Sequence, residues 1–316
     1  MERRARLVHG TTDLPTRLCV VVGVLVFAGA FVRYRQNYFL PGYSTYLLNL
    51  DASILAGTAD APLQYRAAMP WAARLLSTVM SFPHAVLVLD GLLLGLAVVA
   101  LAVLLRRHGA LRLLPLAALG FAYWALNTEN WAPEVLLLVA VVSVGALVLD
   151  LPRPPVWAVA AVGLAAVAAR ADYGASLGVA VGALAWSRRR LPLAAVAVAL
   201  AAVAAVLTWF WARVVFPQAR YRTGVVQLGF NVLPHSWIVL ATFFGPALLV
   251  PAVLLWRRRS TPLAPVLVWF AAEFAVTFVV GRVEENRILL PFAAVVWAAA
   301  GLAFREVDRA APTAPS

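Results

Sequence analysis

The chain has 316 residues, 63% of them hydrophobic and 13% charged, with a mean hydropathy of +0.87 and a formal net charge of +12. Burying so much apolar surface in a water-soluble fold is not feasible, so the composition predicts one integral membrane domain over residues 1–316. The basic residues are arginines without a single lysine, and most of them lie between apolar segments or at their ends. That pattern is typical of membrane topology signals and of membrane lipids as partners, and it argues against nucleic acid.

The apolar segments predict an all-α, polytopic transmembrane bundle of about ten spans, with eight as the lower bound, because a spanning helix needs about 20 apolar residues. The third, fifth and sixth segments are shorter than that. For the fifth and sixth, full crossing and re-entry both stay open. The predicted spans are 16–33, 84–105, 111–126, 131–150, 156–169, 173–186, 191–215, 236–256, 262–281 and 287–304.

The arginines predict the orientation, since short cytoplasmic loops carry the excess of positive charge. One set of loops holds Arg3, Arg4, Arg6, Arg17, Arg106, Arg107, Arg112, Arg153, Arg188, Arg189, Arg190, Arg257, Arg258, Arg259, Arg305 and Arg309. This set is predicted to be cytoplasmic, together with both termini. Arginine without lysine, beside abundant alanine and valine, indicates a GC-rich bacterial genome, and hence the bacterial cytoplasmic (inner) membrane.

Two long loops are predicted on the outer side, at 34–83 and 217–236. The first has Tyr46, Leu47, Leu50 and Ile54 at helical spacing, which predicts an amphipathic helix at 43–56 that Gly57 ends. A second amphipathic helix is predicted from Pro70 to Phe82. Such helices lie in the membrane interface.

The outer loops also gather mixed charges, of which Arg282, Glu284, Glu285 and Arg287 form the densest run. Four ionisable groups in this turn exceed what a hairpin requires, although a solvated hairpin is the alternative. Glu129, with Glu134 after it, either faces a cavity or stabilises a helix start. The remaining pair, Arg170 and Asp172, lies between the two shortest spans, where it lines a cavity or forms a mutual salt bridge.

Arginines next to tyrosines suit a phosphate group, because guanidinium offers two parallel donors. Arg66 follows Tyr65, and Arg220 and Arg222 flank Tyr221. Lipid headgroups are the alternative ligand. The acids within spans, Asp90 and Glu273, are each expected to have a partner or to be protonated, since a lone buried carboxylate is costly. No nucleotide-binding loop or nucleophile motif is present.

Two stretches resemble bacterial GT-C type glycosyltransferases. One runs from Tyr46 through Asn49, Asp51 and Gly57 to Gln64-Tyr65-Arg66 and Pro70, and it is similar to the first outer loop of that family. The other is Glu284-Glu285-Asn286-Arg287 leading to Leu290-Pro291, which is similar to the entry into its late spans. The resemblance implies sugar transfer from a polyprenyl-phosphate donor at the outer face. The chain is short for the family and carries no large soluble outer domain.

The resemblance also implies roles for residues. A carboxylate would act as general base on the acceptor hydroxyl, while arginines and, in some such enzymes, a divalent cation stabilise the departing lipid phosphate. The family's usual aspartate precedes the amphipathic helix, whereas Asp51 lies within it, so three alternatives stay open: Asp51 is the base, Asp60 is, or neither is. The phosphate clamp would comprise Arg66, Arg220, Arg222 and Arg287, with Glu129, Glu284 and Glu285 placing sugar hydroxyls or a metal.

Two other functions are compatible with the sequence. A transporter or flippase for a lipid-linked or small polar solute would use Asp90, Glu273 and the two shortest spans as a midplane site. A noncatalytic membrane partner would keep the layout without the chemistry. A transferase should gather Asp51 or Asp60 with Arg66 and Glu284 at an outer cavity, whereas a transporter should place its polar groups near the midplane and show related halves.

Overall fold

A computed structural model describes residues 13–35, 43–60, 63–127, 134–219, 226, 228–238, 241–242, 244–245, 247–249, 263–280 and 288–310. These residues are helices joined by turns, with no strand among them. The predicted all-α class is therefore confirmed for this part of the chain.

The helix bounds follow the apolar segments closely, with most helices starting or ending within a few residues of the predicted spans. Short 3₁₀ turns at Leu63–Tyr65, Leu111–Leu113 and Leu290–Phe292 precede helices, and the π-helical stretch Trp211–Val215 continues the ninth. The helices are α1 (Leu14–Arg35), α2 (Tyr43–Leu55), α3 (Ala68–Leu76), α4 (Phe82–Arg107), α5 (Leu114–Asn127), α6 (Val135–Leu149), α7 (Val156–Ala169), α8 (Ala171–Arg188), α9 (Leu191–Phe210), α10 (Leu228–Asn231), α11 (Ala264–Val280) and α12 (Ala293–Ala310).

Three of the described helices are long and apolar enough to cross a membrane: Leu14–Arg35, Phe82–Arg107 and Leu191–Val215. Four shorter apolar helices accompany them, at Leu111–Tyr123, Val135–Leu149, Val156–Ala169 and Ala264–Val279. A helix of 14 residues is about 21 Å long, against about 30 Å for the hydrocarbon layer. The short helices therefore depend on the long ones around them to sit in a bilayer.

The core forms around α6, which is buried along most of its length and packs against α4, α7 and α11. A helix that is apolar on every side is stable only when other helices surround it. The long helices α1 and α9 instead leave most of their apolar side chains exposed, including Leu18, Leu25 and Val198. Exposed apolar faces on the outside of a helical bundle are what contact with lipid requires.

Side-chain contacts sort the helix ends into two groups. At the first, Arg112 bonds to Asp13, Arg305 donates to the Gly109 carbonyl oxygen, and His108 pairs with Asp150. Arg188 and Arg190 donate to the carbonyl oxygens of Leu151 and Pro154 in the same group of loops. We call this group the basic end. Its arginines satisfy carbonyl groups that helix termini leave without partners.

The second group of helix ends is joined by contacts of mixed charge and polarity, and we call it the mixed-charge end. Gln218 donates to the Gly57 carbonyl oxygen, Arg66 pairs with Glu134, and Asn231 donates to the Phe278 carbonyl oxygen. The described parts of the two predicted outer loops meet here, through Gly57 and Gln218. That the basic end faces the cytoplasm stays a prediction.

The first predicted outer loop contains two helices, as expected, but the second is shorter than predicted. α2 ends at Leu55, and Gly57 adopts the left-handed conformation with φ 75°. α3 covers Ala68–Leu76 instead of Pro70 to Phe82. It ends early because the hydroxyls of Ser77 and Thr78 donate to backbone carbonyl oxygens three residues back, which competes with continued helix.

One extended residue, Arg170, joins α7 to α8, and the two helices pack against each other directly after it. So tight a connection needs a small residue where the backbones meet. Gly174 fills that place: a Cβ there would overlap Val167 Cγ2 and lie 3.1 Å from Val167 Cα. Val167 is β-branched and has one preferred rotamer in a helix, so it cannot turn aside.

Gly174→Ala is therefore expected to lower the free energy of unfolding by about 1–3 kcal/mol, the usual cost of overpacking. Thermal unfolding of the purified protein in detergent measures it. Gly182→Ala on the same helix is the control, because its new Cβ would meet nothing closer than Ala197 Cβ at 3.7 Å. Equal melting temperatures for the two variants would contradict the prediction, and Val167→Ala added to Gly174→Ala should restore stability.

The His108 pair at the basic end predicts a pH dependence of stability. The hydrogen bond to Asp150 raises the pKa of His108 above its usual 6.5, with burial and Arg107 opposing and Glu306 adding to the rise. A raised folded-state pKa stabilises the protein fully below pH 6.5, and this contribution is lost as pH rises through the raised value.

We expect wild-type thermal stability to fall across that pH interval and His108→Gln to flatten the fall. Melting temperatures in detergent at pH values on both sides of 6.5 measure this. The matched variant is Asp150→Asn, which removes the acceptor that raises the pKa of His108 and should flatten the fall in the same way. A His108→Gln slope equal to the wild-type slope would refute the assignment.

Candidate functional site

The mixed-charge end contains a buried ion pair between Arg66 and Glu134. Arg66 Nη1 lies 2.9 Å from Glu134 Oε1, with side chains only 9% and 1% exposed. Arg66 follows the 3₁₀ turn Leu63–Tyr65, and Glu134 immediately precedes α6. A carboxylate at a helix start is favoured by the helix dipole. The pair therefore ties the loop before α3 to the start of the central helix.

A second, partly buried group surrounds Arg170 at the turn between α7 and α8, with the Arg170 and Asp172 side chains 11% and 26% exposed. Arg170 donates to both carboxylate oxygens of Asp172, with Nε 3.0 Å from Oδ1. Its Nη2 also lies 4.0 Å from Oε1 of Glu273, which sits near the middle of α11 and is fully buried. The mutual salt bridge considered for Arg170 and Asp172 is thus present, and Glu273 extends it into the bundle.

Glu273 is further held by Ser176, whose hydroxyl lies 2.7 Å from Oε2 and donates to it. Trp269 Nε1 lies 3.1 Å from the Ser176 hydroxyl oxygen and 3.2 Å from the Tyr173 carbonyl oxygen. Buried polar groups are stable when they are hydrogen-bonded in this way. Side chains from α8 and α11 therefore fix one oxygen of Glu273.

The two groups belong to one network. The charge of Arg66 acts on Asp172, and that of Glu134 acts on Tyr173, so the guanidinium and carboxylate groups lie within electrostatic reach of one another. Tyr173 also donates a hydrogen bond to the carbonyl oxygen of Ile288 and stacks on Phe292. Ile288 directly follows the charged segment that the sequence singles out at 284–287.

The network holds three carboxylates and two guanidinium groups among the described residues. Glu134 Oε2 and Glu273 Oε1 are buried and accept no hydrogen bond within that part of the chain. Glu273 Oε1 has the Arg170 guanidinium 4.0 Å away, and a buried carboxylate oxygen without a hydrogen bond is a strong acceptor for a donor. Within the described residues, these two oxygens are the acceptors of the network that lack a donor.

Asp51 is buried on α2. Its neighbour in the chain, Leu50, packs with Ala67, which follows Arg66. Gln64 braces the same region, because its amide nitrogen donates to the Ile54 carbonyl oxygen and its amide oxygen accepts from the Ala59 backbone nitrogen. Asp51 thus lies on a helix that packs against the segment that carries Arg66.

The other two candidates in this loop are less enclosed. Asp60 is half-buried, at the end of the turn after α2. Tyr65 is also half-buried, and that burial raises the pKa of its hydroxyl above 10.0, so it is a neutral donor. Of the two possible bases, Asp51 is the one that the fold shields from water.

Several predicted site residues lie outside the described residues, so nothing follows for their placement. They are Glu129, Arg220, Arg222, Glu284, Glu285 and Arg287.

The expectation that the acids within spans have partners is confirmed. Asp90 pairs with Arg35, and both are buried between α1 and α4. Glu273 has Ser176 and Arg170. What sequence reasoning missed is that Ser176, Tyr173 and Trp269 belong to the site, since each is an ordinary residue of an apolar helix with no signal of its own.

A metal site is not evident in the described part of the chain, where no three histidine, cysteine, aspartate or glutamate side chains are grouped to hold an ion. A divalent cation stays a prediction from the resemblance.

The fold and the network define an all-α membrane protein with a buried polar network at one end of its helices. Comparison with known proteins adds no closer assignment: no family model, no curated protein and no solved structure matches the chain.

Proposed function

We propose that this chain is a membrane glycosyltransferase that transfers a sugar from a polyprenyl-phosphate donor at the outer face of the bacterial inner membrane. The proposal places about ten spans in the bilayer with both termini in the cytoplasm. The observation that carries it is the burial of Asp51 beside the segment of Arg66, which pairs with Glu134. A carboxylate shielded from water can act as a general base, and a guanidinium group in the segment packed against its helix can stabilise a departing phosphate.

In the proposed reaction, Asp51 takes the proton from the acceptor hydroxyl. The acceptor oxygen forms a bond to the anomeric carbon of the sugar, while the bond from that carbon to the phosphate oxygen breaks. The electron pair leaves with polyprenyl phosphate, whose negative charge Arg66 stabilises. The free oxygens of Glu134 and Glu273 accept hydrogen bonds from sugar hydroxyls.

The experiment is transfer by the purified full chain in vesicles that contain polyprenyl-phosphate sugars, with release of polyprenyl phosphate measured by mass spectrometry. We expect turnover by the wild type and a loss of about 10²- to 10³-fold in Arg66→Gln, the usual effect of removing a donor that stabilises transition-state charge. The matched control is Arg74→Gln, which changes an exposed arginine in α3. Absence of turnover with every donor sugar would refute the proposal.

The topology can be tested separately. In a Cys19→Ala background, we expect Thr58→Cys at the mixed-charge end to react with a membrane-impermeant thiol reagent in intact cells. Arg153→Cys, at the basic end, should react only after permeabilisation. Both positions are exposed, so accessibility depends on the side of the membrane alone. Reversal of the two results would place the site in the cytoplasm and undo the proposal.

A transporter is the second candidate, and the position of Glu273 favours it. This carboxylate lies near the middle of an apolar helix, and its Oε1 accepts no hydrogen bond from the described residues. Carboxylates at such depth commonly serve in substrate or proton pathways. A transporter would lose flux of its solute in Glu273→Gln, and it would show no consumption of the lipid-linked donor. A transferase, in contrast, would consume the lipid-linked donor and would lose turnover when Asp51 or Arg66 is changed.

A further inference from the structure

The basic end contains a cavity of about 500 Å³ that takes no part in the proposed transfer. It lies where the start of α1, the end of α4, the turn before α5 and α12 come together. The cavity is lined chiefly by Thr16, Arg106, Leu111, Arg112, Leu113 and Arg305. No acidic residue is among its described lining residues.

The three arginines of this cavity differ in their hydrogen-bond partners. Arg112 bonds to Asp13 and to the Thr16 hydroxyl, and Arg305 donates to the Gly109 carbonyl oxygen 2.9 Å away. Arg106 is exposed and has no polar partner among the described residues. A guanidinium group on an open cavity, with two others beside it, attracts an anion that can accept several donors at once.

An apolar stripe leads away from Arg106 along α4. Leu92, Leu96, Val99 and Val103 precede it at intervals of three and four residues, which places all of them on one face of the helix. Each of the four is more than a third exposed. A soluble anion would make no contact with this stripe. A lipid whose phosphate binds Arg106 would pack an acyl chain against it.

We propose that this cavity binds the headgroup phosphate of an anionic phospholipid from the leaflet at the basic end, with an acyl chain along the exposed stripe of α4. The guanidinium of Arg106 provides the free donors, Arg305 and Arg112 add positive charge, and Leu111 and Leu113 contact the glycerol backbone. The inference does not depend on the transferase reaction, since the cavity lies at the other end of the helices.

The test uses the full chain in detergent with phosphatidylglycerol as the probe, and native mass spectrometry counts bound lipid. We expect the wild type to retain phosphatidylglycerol in preference to phosphatidylcholine. Each arginine near a membrane surface contributes about 1 kcal/mol to binding of anionic lipid, so Arg106→Gln should weaken retention about fivefold. Arg106→Gln together with Arg305→Gln should weaken it about thirtyfold.

Arg153→Gln is the matched control, because it removes one exposed arginine from the same end but outside the cavity. It should retain phosphatidylglycerol like the wild type. An equal loss in Arg153→Gln would show binding by overall charge and overturn the proposal. Displacement of the lipid by glycerol 3-phosphate or inorganic phosphate at similar concentration would identify a soluble-anion site instead. Equal retention of the two lipids by the wild type would also overturn it.

Since Arg106 makes no described hydrogen bond, Arg106→Gln should fold normally, and its melting temperature without added lipid should equal that of the wild type. Addition of phosphatidylglycerol should then raise the melting temperature of the wild type and of Arg153→Gln more than that of Arg106→Gln. This second measurement separates loss of the lipid site from loss of structure.

Discussion

Asp51→Asn is expected to reduce sugar transfer about 10²- to 10⁴-fold, the range that general base catalysis supplies. The amide has nearly the shape of the carboxylate, so α2 keeps its packing through Leu50 and Ile54. What the variant loses is the ability to take a proton from the acceptor hydroxyl. The measurement is initial turnover of the polyprenyl-phosphate sugar by purified protein at saturating donor.

Asp60→Asn supplies the matched comparison, with the same chemical change nine positions further along the same loop. Asp60 is half-buried and Asp51 is buried, so we expect Asp60→Asn to retain most of its turnover. A large loss in Asp60→Asn alone would transfer the role of base to that residue. Unchanged turnover in both variants would remove the catalytic assignment, whatever the donor.

Donor binding separates the two roles within the site. If Asp51 acts only as a base, Asp51→Asn should lower kcat and leave KM nearly unchanged, because the lipid phosphate is bound elsewhere. Arg66→Gln should raise KM as well, since Arg66 contacts the phosphate in the ground state and in the transition state. A rise of KM in Asp51→Asn equal to that in Arg66→Gln would indicate that Asp51 positions the substrate and does not act as a base.

Much of the helical layout could be predicted from the sequence because apolar runs and their interruptions are local features. The end of α2 at Leu55 follows from Gly57, and the start of α4 at Phe82 is set by Pro83 in its first turn. The length of α3 could not be predicted in the same way. Its apolar residues continue past Leu76, and only the hydrogen bonds of Ser77 and Thr78 to the backbone end it.

The buried network was only partly predictable. Arg170 and Asp172 are two residues apart, so the sequence predicts that they pair. Glu273 lies about a hundred positions away in an unbroken apolar run. Arg66 and Glu134 come from different predicted loops. Such contacts depend on how the helices pack. Hydropathy shows that a charged residue lies within a helix, but it does not show which other helix packs against that residue. The sequence could therefore predict that Glu273 needs a partner, without identifying it.

Arg170→Met is expected to lower the free energy of unfolding by about 3–5 kcal/mol, the cost of removing one partner from a buried ion pair. The value should lie toward the lower end, because Asp172 is 26% exposed and Glu273 keeps its bond from Ser176, although both carboxylates lose their guanidinium partner. Methionine matches the length of the arginine stem, so packing at the turn between α7 and α8 is kept. Unfolding in detergent by added denaturant measures the effect.

Arg153→Met, at an exposed position of the basic end, is the control. Its free energy of unfolding should change by no more than about 0.5 kcal/mol, as is usual for surface substitutions. Asp172→Leu added to Arg170→Met should recover part of the loss, because a well-packed apolar pair replaces a broken ionic one. Glu273→Leu added to Arg170→Met should recover a different part, since Glu273 keeps its bond from Ser176. If neither second change restores stability, Asp172 and Glu273 do not depend on Arg170 for their stabilisation. The side chains would then act independently and would not form one network.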